Sequence, residues 1–228
     1  MIRVEELTAG YGDKLVISRL SFLAQSQDSP LVLAGRNGSG KSTLLKAILG
    51  QIPFSGKIEL SNPNQSIGWI PQSYQLSLSI PVIDFVALGA SISEGLFASL
   101  PKNAKSLAEE ALVELKLEHL TNKRTDELSG GEWQLVCLAQ LMVQETDIWL
   151  LDEPTSSLDI YYKSFVFELL WKKAKEGKMI ILSTHDLPFL PNERGKILLF
   201  GGGFSNYPIS KVSLEETLFY LSSKAKDS

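Results

Sequence analysis

An α/β fold with a mostly parallel core sheet is what this sequence predicts, and three observations carry the prediction. Three short apolar runs, LVLAG (31–35), IWLLDE (148–153) and MIILSTH (179–185), lack the polar alternation of a half-exposed strand. They read as parallel strands buried on both faces. Each runs into polar residues at its carboxyl end, the side on which open α/β sheets bind ligands. Stretches of helical periodicity separate the runs, as parallel strand connections require.

The elements follow in chain order. IRVEEL (2–7) alternates apolar and polar side chains, as a half-exposed strand does. The run at 31–35 leads into KSTLLKAILG, a helix closed by Gly50. Between about residues 81 and 126 the pattern changes. SLAEEALVELKLEHL spaces Leu107, Ala111 and Leu115 four apart, an amphipathic helix, and VIDFVALGA reads as another. This section is expected to form a helical lobe inserted between sheet strands, with about 1–80 and 127–228 making up the remainder of a single domain. Beyond Val212 one short helical pattern remains, SLEETLFYLSSK, and no repeat, heptad or low-complexity segment occurs.

Bulk properties narrow the function. A chain of 228 residues, 44% hydrophobic and 21% charged, suits one large domain with a sizeable core. The net charge of −4 and the scattering of Lys and Arg argue against nucleic acid as a partner. The one cysteine, Cys137, lies among Leu135, Val136, Leu138 and Ala139 and reads as a buried structural thiol in a reducing compartment. MIRVEELTAG has no apolar core of a signal peptide. No apolar run approaches the roughly 20 residues that span a bilayer. A cytoplasmic protein is expected; any work at a membrane would need another chain to supply the membrane part.

Chemistry enters with GRNGSGKST (35–43), which fits the phosphate-loop pattern in its proper place between a strand and a helix. Gly35, Asn37, Gly38, Ser39 and Gly40 would let backbone N–H groups point inward around phosphates, at a helix N-terminus whose partial positive charge favours them. Lys41 would reach the β- and γ-phosphates, the Ser42 hydroxyl would ligate Mg²⁺, and Thr43 completes the motif. A second element, IWLLDEP, ends a strand in two carboxylates. Asp152 can hold Mg²⁺ through its water shell, and Glu153 can polarise a water attacking the γ-phosphate. As neighbours on a strand they are expected to point to opposite faces. A third stretch, ELSGGEWQ (127–134), is glycine-rich but lacks the lysine of a phosphate loop.

Together Tyr11, GRNGSGKST, Gln72 in WIPQS, LSGGEWQ, WLLDEP, SSLD and His185 in STHD occur in an order that resembles the ATPase subunit of ABC transporters over nearly the whole chain. The resemblance implies a phosphate-loop ABC-ATPase fold: a RecA-like parallel core, an N-terminal antiparallel β part and the inserted helical lobe. It implies that Tyr11 stacks on adenine, that Gln72 touches Mg²⁺ and the attacking water, and that His185 holds the γ-phosphate. A second histidine, His119, matches no motif. Two subunits would bind head to tail with ATP between them. Ser129, Gly130 and Gly131 of one copy would then face the phosphate held by Lys41 of the other, and Asp159 would contact the partner. A membrane permease would dock near Gln72 from the inner face of the membrane.

Three positions depart from the family pattern. Arg36 stands where proline is common and is expected to face solvent. Leu135 and Gln140 stand where arginines are usual, so a weaker tether of the signature helix to its lobe is expected. GEWQ and the PVIDFVALGA helix look most like metal-chelate importers, for iron–siderophore, haem or cobalamin, with zinc and manganese importers as the alternative. A soluble ABC ATPase acting on ribosomes or DNA would carry two cassettes, zinc modules or long coiled coils, none of which occurs. A non-hydrolysing regulator would be expected to lack Glu153 or His185.

Overall fold

The computed structural model describes residues 1–72, 79–91, 100–191 and 195–200, together with the backbone of 205–208. The helical pattern at 213–224 lies outside the described residues.

Two sheets form. The first pairs β1 (Ile2–Tyr11), β2 (Lys14–Ala24) and β4 (Phe54–Leu60), antiparallel, in the order β2-β1-β4. The alternation in IRVEEL holds for Ile2, Arg3 and Val4 and then slips, because Glu5 and Glu6 are both exposed. Glu6 adopts a left-handed φ of 48° inside a β-bulge, and its N–H is satisfied by Ser21 Oγ at 2.8 Å.

The second sheet has the order β5-β6-β7-β3-β8-β9, built from β3 (Leu31–Gly35), β5 (Ile67–Ile70), β6 (Ile148–Asp152), β7 (Met179–Ser183), β8 (Lys196–Phe200) and β9 (Ser205–Pro208). All its pairings are parallel except β8 with β9. The three apolar runs are thus adjacent parallel strands, β6-β7-β3, as their composition predicts. Pleating explains why the runs are continuous: Val32, Trp149, Leu151, Ile180 and Leu182 pack on one face, and Leu31, Leu33, Ile148, Leu150 and Ile181 on the other. The first face is covered by helices, including α5 (Ile160–Lys175). The second is covered by α1 (Lys41–Ile48) and the antiparallel sheet. Each such side chain, fully buried, is worth about 1.5–3 kcal/mol, so both faces hold the sheet together.

Residues 81–126 supply α2 (Val82–Ala87) and α3 (Ala104–Glu114), which pack on each other and on α4 (Gly130–Val143). In α3 Ala104, Ala108, Ala111 and Leu112 are buried, the stripe its periodicity predicts. The helix α4 therefore belongs by packing to the same helical group while its N-terminus faces the other way, toward the loop after β6. Leu135 and Gln140 both contact this helical group. Leu135 is buried in the core, and the Gln140 amide donates to the Phe85 carbonyl of α2 at 2.9 Å, so an uncharged bond ties α4 to α2.

Candidate functional site

The strand order β6-β7-β3 brings three carboxyl ends side by side: the loop after β3, Asp152 at the end of β6, and the turn after β7 that carries His185. The site grows from that edge.

In the loop after β3, Gly38 and Gly40 take φ of 77° and 109°, a region that L side chains rarely enter, and Gly40 caps α1. The turn directs the chain into α1 with Lys41 as its first residue. The buried Lys41 ammonium donates to the carbonyls of Gly35 at 2.8 Å and Arg36 at 3.2 Å, and lies 3.2 Å from His185 Nε2. Burial lowers its pKa from the ordinary lysine value, against the pull of the Glu153 and Asp152 carboxylates. The Arg36 side chain is exposed, as expected.

Asp152 Oδ1 accepts from Ser42 Oγ at 3.0 Å and from Ser183 Oγ at 2.6 Å. Ser183 is its register partner on β7, so the carboxylate is held from both sides. A hydroxyl and one carboxylate are hard oxygen donors and fit Mg²⁺, which takes few protein ligands and keeps waters and phosphate oxygens for the rest. Among the described residues no group of three His, Cys, Asp or Glu side chains could hold a metal by itself.

Glu153 corrects one expectation. It is not a strand residue: β6 ends at Asp152, and Glu153 takes a left-handed φ of 52°. Strand alternation therefore does not separate the two carboxylates. The reversal of the backbone does so, and it turns the Glu153 side chain toward Lys41 and His185. Its N–H donates to Ser183 Oγ at 2.9 Å and to the Ser183 carbonyl at 3.2 Å. His185 Nε2 lies 3.2 Å from Glu153 Oε1, yet that oxygen has no hydrogen bond of acceptable geometry. Burial pushes the Glu153 carboxyl up from its ordinary value. Lys41 opposes the rise, while Asp152 and Asp186 reinforce it. Burial and the Lys41 charge hold His185 below the usual histidine value, which keeps the ring neutral at neutral pH.

Lys41, Glu153 and His185 line one cavity of about 360 Å³ with Tyr11, Asn37, Gly38, Ser39, Gly40, Ser42, Thr43 and Gln72, and Asp152 reaches it through its bond to Ser42. Two buried polar atoms without a hydrogen bond, Ser39 Oγ and Glu153 Oε1, belong to this lining. Such orphans call for a polar ligand. Tyr11, at the end of β1, is 47% exposed, with Lys46 Nζ 5.8 Å from its ring centroid. Gly35 touches the site through its carbonyl on Lys41.

Ser129, Gly130, Gly131 and Asp159 stand elsewhere. They line a separate cavity of about 470 Å³ with Leu117, His119, Glu132 and Tyr162 among others. Ser129 caps α4 in a reciprocal box: its Oγ accepts from the Glu132 N–H at 3.3 Å, and Glu132 Oε2 accepts from the Ser129 N–H at 2.8 Å. The Ser129 N–H and hydroxyl, helped by Lys123, hold the Glu132 carboxyl down to about 2. Asp159 caps α5 by accepting from the Tyr162 N–H at 2.9 Å. Cys137 is half-buried at the edge of the core rather than fully buried as expected, and desolvation pushes its thiol up to about 12.

Several contributors carried no motif signal. Lys14 lines the phosphate cavity from the first position of β2. Asp186, beside His185, accepts from Lys163 Nζ at 2.6 Å and Thr155 Oγ1 at 2.7 Å, and so ties the His185 turn to α5 and to the loop after β6. The sequence DLP does carry one local sign, an acidic residue opening a helical turn with proline just inside it.

A phosphate loop, a hydroxyl–carboxylate pair and a buried carboxyl beside a neutral histidine define a nucleotide-binding α/β protein of the phosphate-loop class. The ABC transporter family model matches residues 19–156. The chain is 30% identical over 224 residues to the manganese transport system ATP-binding protein MntB of Halalkalibacterium halodurans, covering 95% of this chain and 89% of that one. Its fold superposes with a TM-score of 0.80 and 32% identity on a solved transporter described as of the metal-chelate type, over 96% of this chain and 88% of the other. A dimeric bacterial ABC transporter cassette gives a TM-score of 0.77 at 25% identity, over 88% of this chain and 94% of that one. The chain belongs to the ABC transporter family, and it is an ATP-binding cassette of the ATPase type.

Proposed function

We propose that two copies of this cassette close head to tail around two ATP molecules, and that hydrolysis powers import of a metal chelate through a separate membrane permease. The observation that carries the pairing is the division of the motifs between two cavities. Lys41, Asp152, Glu153 and His185 gather at one, and Ser129, Gly130 and Gly131 line the other. One chain cannot bring both to a single phosphate, whereas a second copy can. The dimeric cassette to which the chain is similar supports the same reading.

In the proposed reaction the loop amides and Lys41 bind the β- and γ-phosphates, with positioning and charge stabilisation supplying most of the rate. Ser42, Asp152 and Gln72 would hold Mg²⁺, which neutralises charge developing on the phosphate oxygens when bound. Glu153 takes up hydrogen bonding to the attacking water, a role suited to a carboxylate whose pKa is raised by burial. His185 holds the γ-phosphate, Tyr11 stacks on adenine, and Asp159 contacts the second copy. The loss of phosphate then reopens the pair.

Docking to a permease is supported by a third cavity, about 310 Å³, lined by Trp69, Ile70, Cys137, Gln140 and Leu141 and reaching Pro71, the residue before Gln72. No helix among the described residues is long and apolar enough to cross a membrane, so the reading places the cassette on the inner face of the membrane beside its permease. A metal chelate is favoured by the likeness to the metal-chelate transporter. The alternative is manganese or zinc, favoured by the MntB likeness.

The pairing is tested by mixing Ser129→Arg protomers with Lys41→Ala protomers. One composite site per mixed dimer keeps all its groups, so the mixture should recover ATP hydrolysis that neither variant shows alone. A mixture as inactive as its components refutes the shared site. Uptake assays with the permease that co-purifies separate metal chelate from free metal ion.

A further inference from the structure

Glu153 stands at a left-handed φ that a non-glycine residue holds only when its surroundings fix it. On its amino side the N–H is fixed by Ser183 of β7. On its carboxyl side the carbonyl accepts from Gln134 Nε2 at 2.8 Å. Gln134 lies one turn inside α4, the helix whose N-terminus carries Ser129, Gly130 and Gly131. The same amide group makes two more bonds to the loop after β6. Its Oε1 accepts from the Ser157 N–H at 3.0 Å, and Nε2 reaches Ser156 Oγ at 3.4 Å. The two elements also pack closely: a Cβ at Gly131 would sit 2.9 Å from the Ser157 carbonyl oxygen. Gln134 is thus the side chain that bridges the two cavities, with a donor on the peptide of Glu153 and an acceptor on the turn that precedes Asp159.

We propose that Gln134 is a positioning residue that clamps the peptide of Glu153 to the signature helix, so that the orientation of Glu153 follows the position of α4. The clamp deepens the reading of Glu153 as the base and rests on it. Both ends of the amide are engaged in opposite senses, donor to Glu153 and acceptor from Ser157, so a carboxylate cannot replace it. A glutamate keeps the acceptor for Ser157 and sets an oxygen against the Glu153 carbonyl. When α4 shifts as its N-terminus meets a phosphate held by a second copy, the Glu153 carbonyl is carried with it. A protomer would thereby set its own base in response to its partner's nucleotide.

The test is a double-mutant cycle in the full chain with ATP and Mg²⁺, using Gln134→Glu and Gln134→Met, each alone and combined with Glu153→Gln. Methionine keeps length and packing without donor or acceptor and covers the case in which the glutamate variant folds poorly. With Glu153 present, both variants should lower kcat about tenfold, the size of one lost orienting hydrogen bond, with KM for ATP within about twofold. In the Glu153→Gln background the residual single-turnover rate should change less than about twofold, since the effect acts through Glu153. An equal loss in both backgrounds, or wild-type kcat for Gln134→Glu and Gln134→Met, overturns the clamp and leaves the base assignment standing. Wild-type turnover in Glu153→Gln alone removes the base, and the clamp with it.

Discussion

Asp186 gives the sharpest structural test, because two side chains of different kind depend on one carboxylate. Lys163 Nζ lies 2.6 Å from Oδ1, with side chains 20% and 16% exposed, and the fully buried Thr155 donates to Oδ2 at 2.7 Å. Breaking a fully buried ion pair from one side costs about 3–5 kcal/mol. Here Lys163 keeps some access to water, which reduces that share to about 1–2 kcal/mol. The stranded Thr155 hydroxyl adds about 1–2 kcal/mol. Asp186→Ala should therefore destabilise by about 2–4 kcal/mol, and Asp186→Asn, whose amide oxygen still accepts from Thr155, by about 1–2 kcal/mol. For a chain of this length these correspond to Tm losses of about 4–16 °C and 2–8 °C. Scanning calorimetry reads both. Because Asp186 ties the His185 turn to α5, turnover should fall in the same order. An alanine variant within about 2 °C of the wild type, or alanine and asparagine variants that are equal, would refute the two-partner account.

Four further variants probe packing, capping and stacking. Gly89→Ala places a Cβ 2.5 Å from the Gln140 carbonyl and 3.2 Å from Val143 Cβ, both parts of α4, and should cost about 1–3 kcal/mol by urea unfolding. Gly68→Ala meets mainly the tips of Leu141 and Thr146, which can turn aside, and should cost less than Gly89→Ala. Glu132→Gln should lose about 1 kcal/mol at neutral pH, limited by the 28% exposure of the carboxylate. Its native pKa is depressed to about 2, so the contribution is present above the ordinary value of 4.5 and fades as pH falls through about 2; the gap between the two proteins should close there. Tyr11→Ala should raise KM for ATP about tenfold with kcat little changed, as the loss of one stacked base implies.

How much of this was legible beforehand depends on the kind of signal. The parallel core was readable because strands buried on both faces must be apolar at every position, as Leu31–Ala34 and Ile148–Leu151 are. The phosphate loop was readable because glycines at fixed offsets before Lys41 have few other uses. The turn at Glu153 was not readable: nothing in DEP announces a left-handed residue, and the conformation is held by Ser183 and Gln134 from distant parts of the chain. Leu135 and Gln140 show what a comparison of motifs leaves out. Missing charges suggested a weaker tether, but burial of Leu135 and one bond from Gln140 to Phe85 join α4 to the lobe without them. The bulge at Glu6 shows the limit of strand periodicity, since alternation cannot foresee an extra residue.

In the proposed reaction Glu153 acts on a nucleotide held between two copies. This is tested most directly by measuring ATP hydrolysis and molecular mass together for Glu153→Gln with ATP and Mg²⁺. Loss of the base should lower turnover by about 10²–10⁴-fold while ATP binding persists, so the variant should accumulate as an ATP-bound dimer, seen by light scattering, whereas without nucleotide it remains a monomer. Wild-type turnover, or a monomer at saturating ATP with nucleotide bound, would contradict the account.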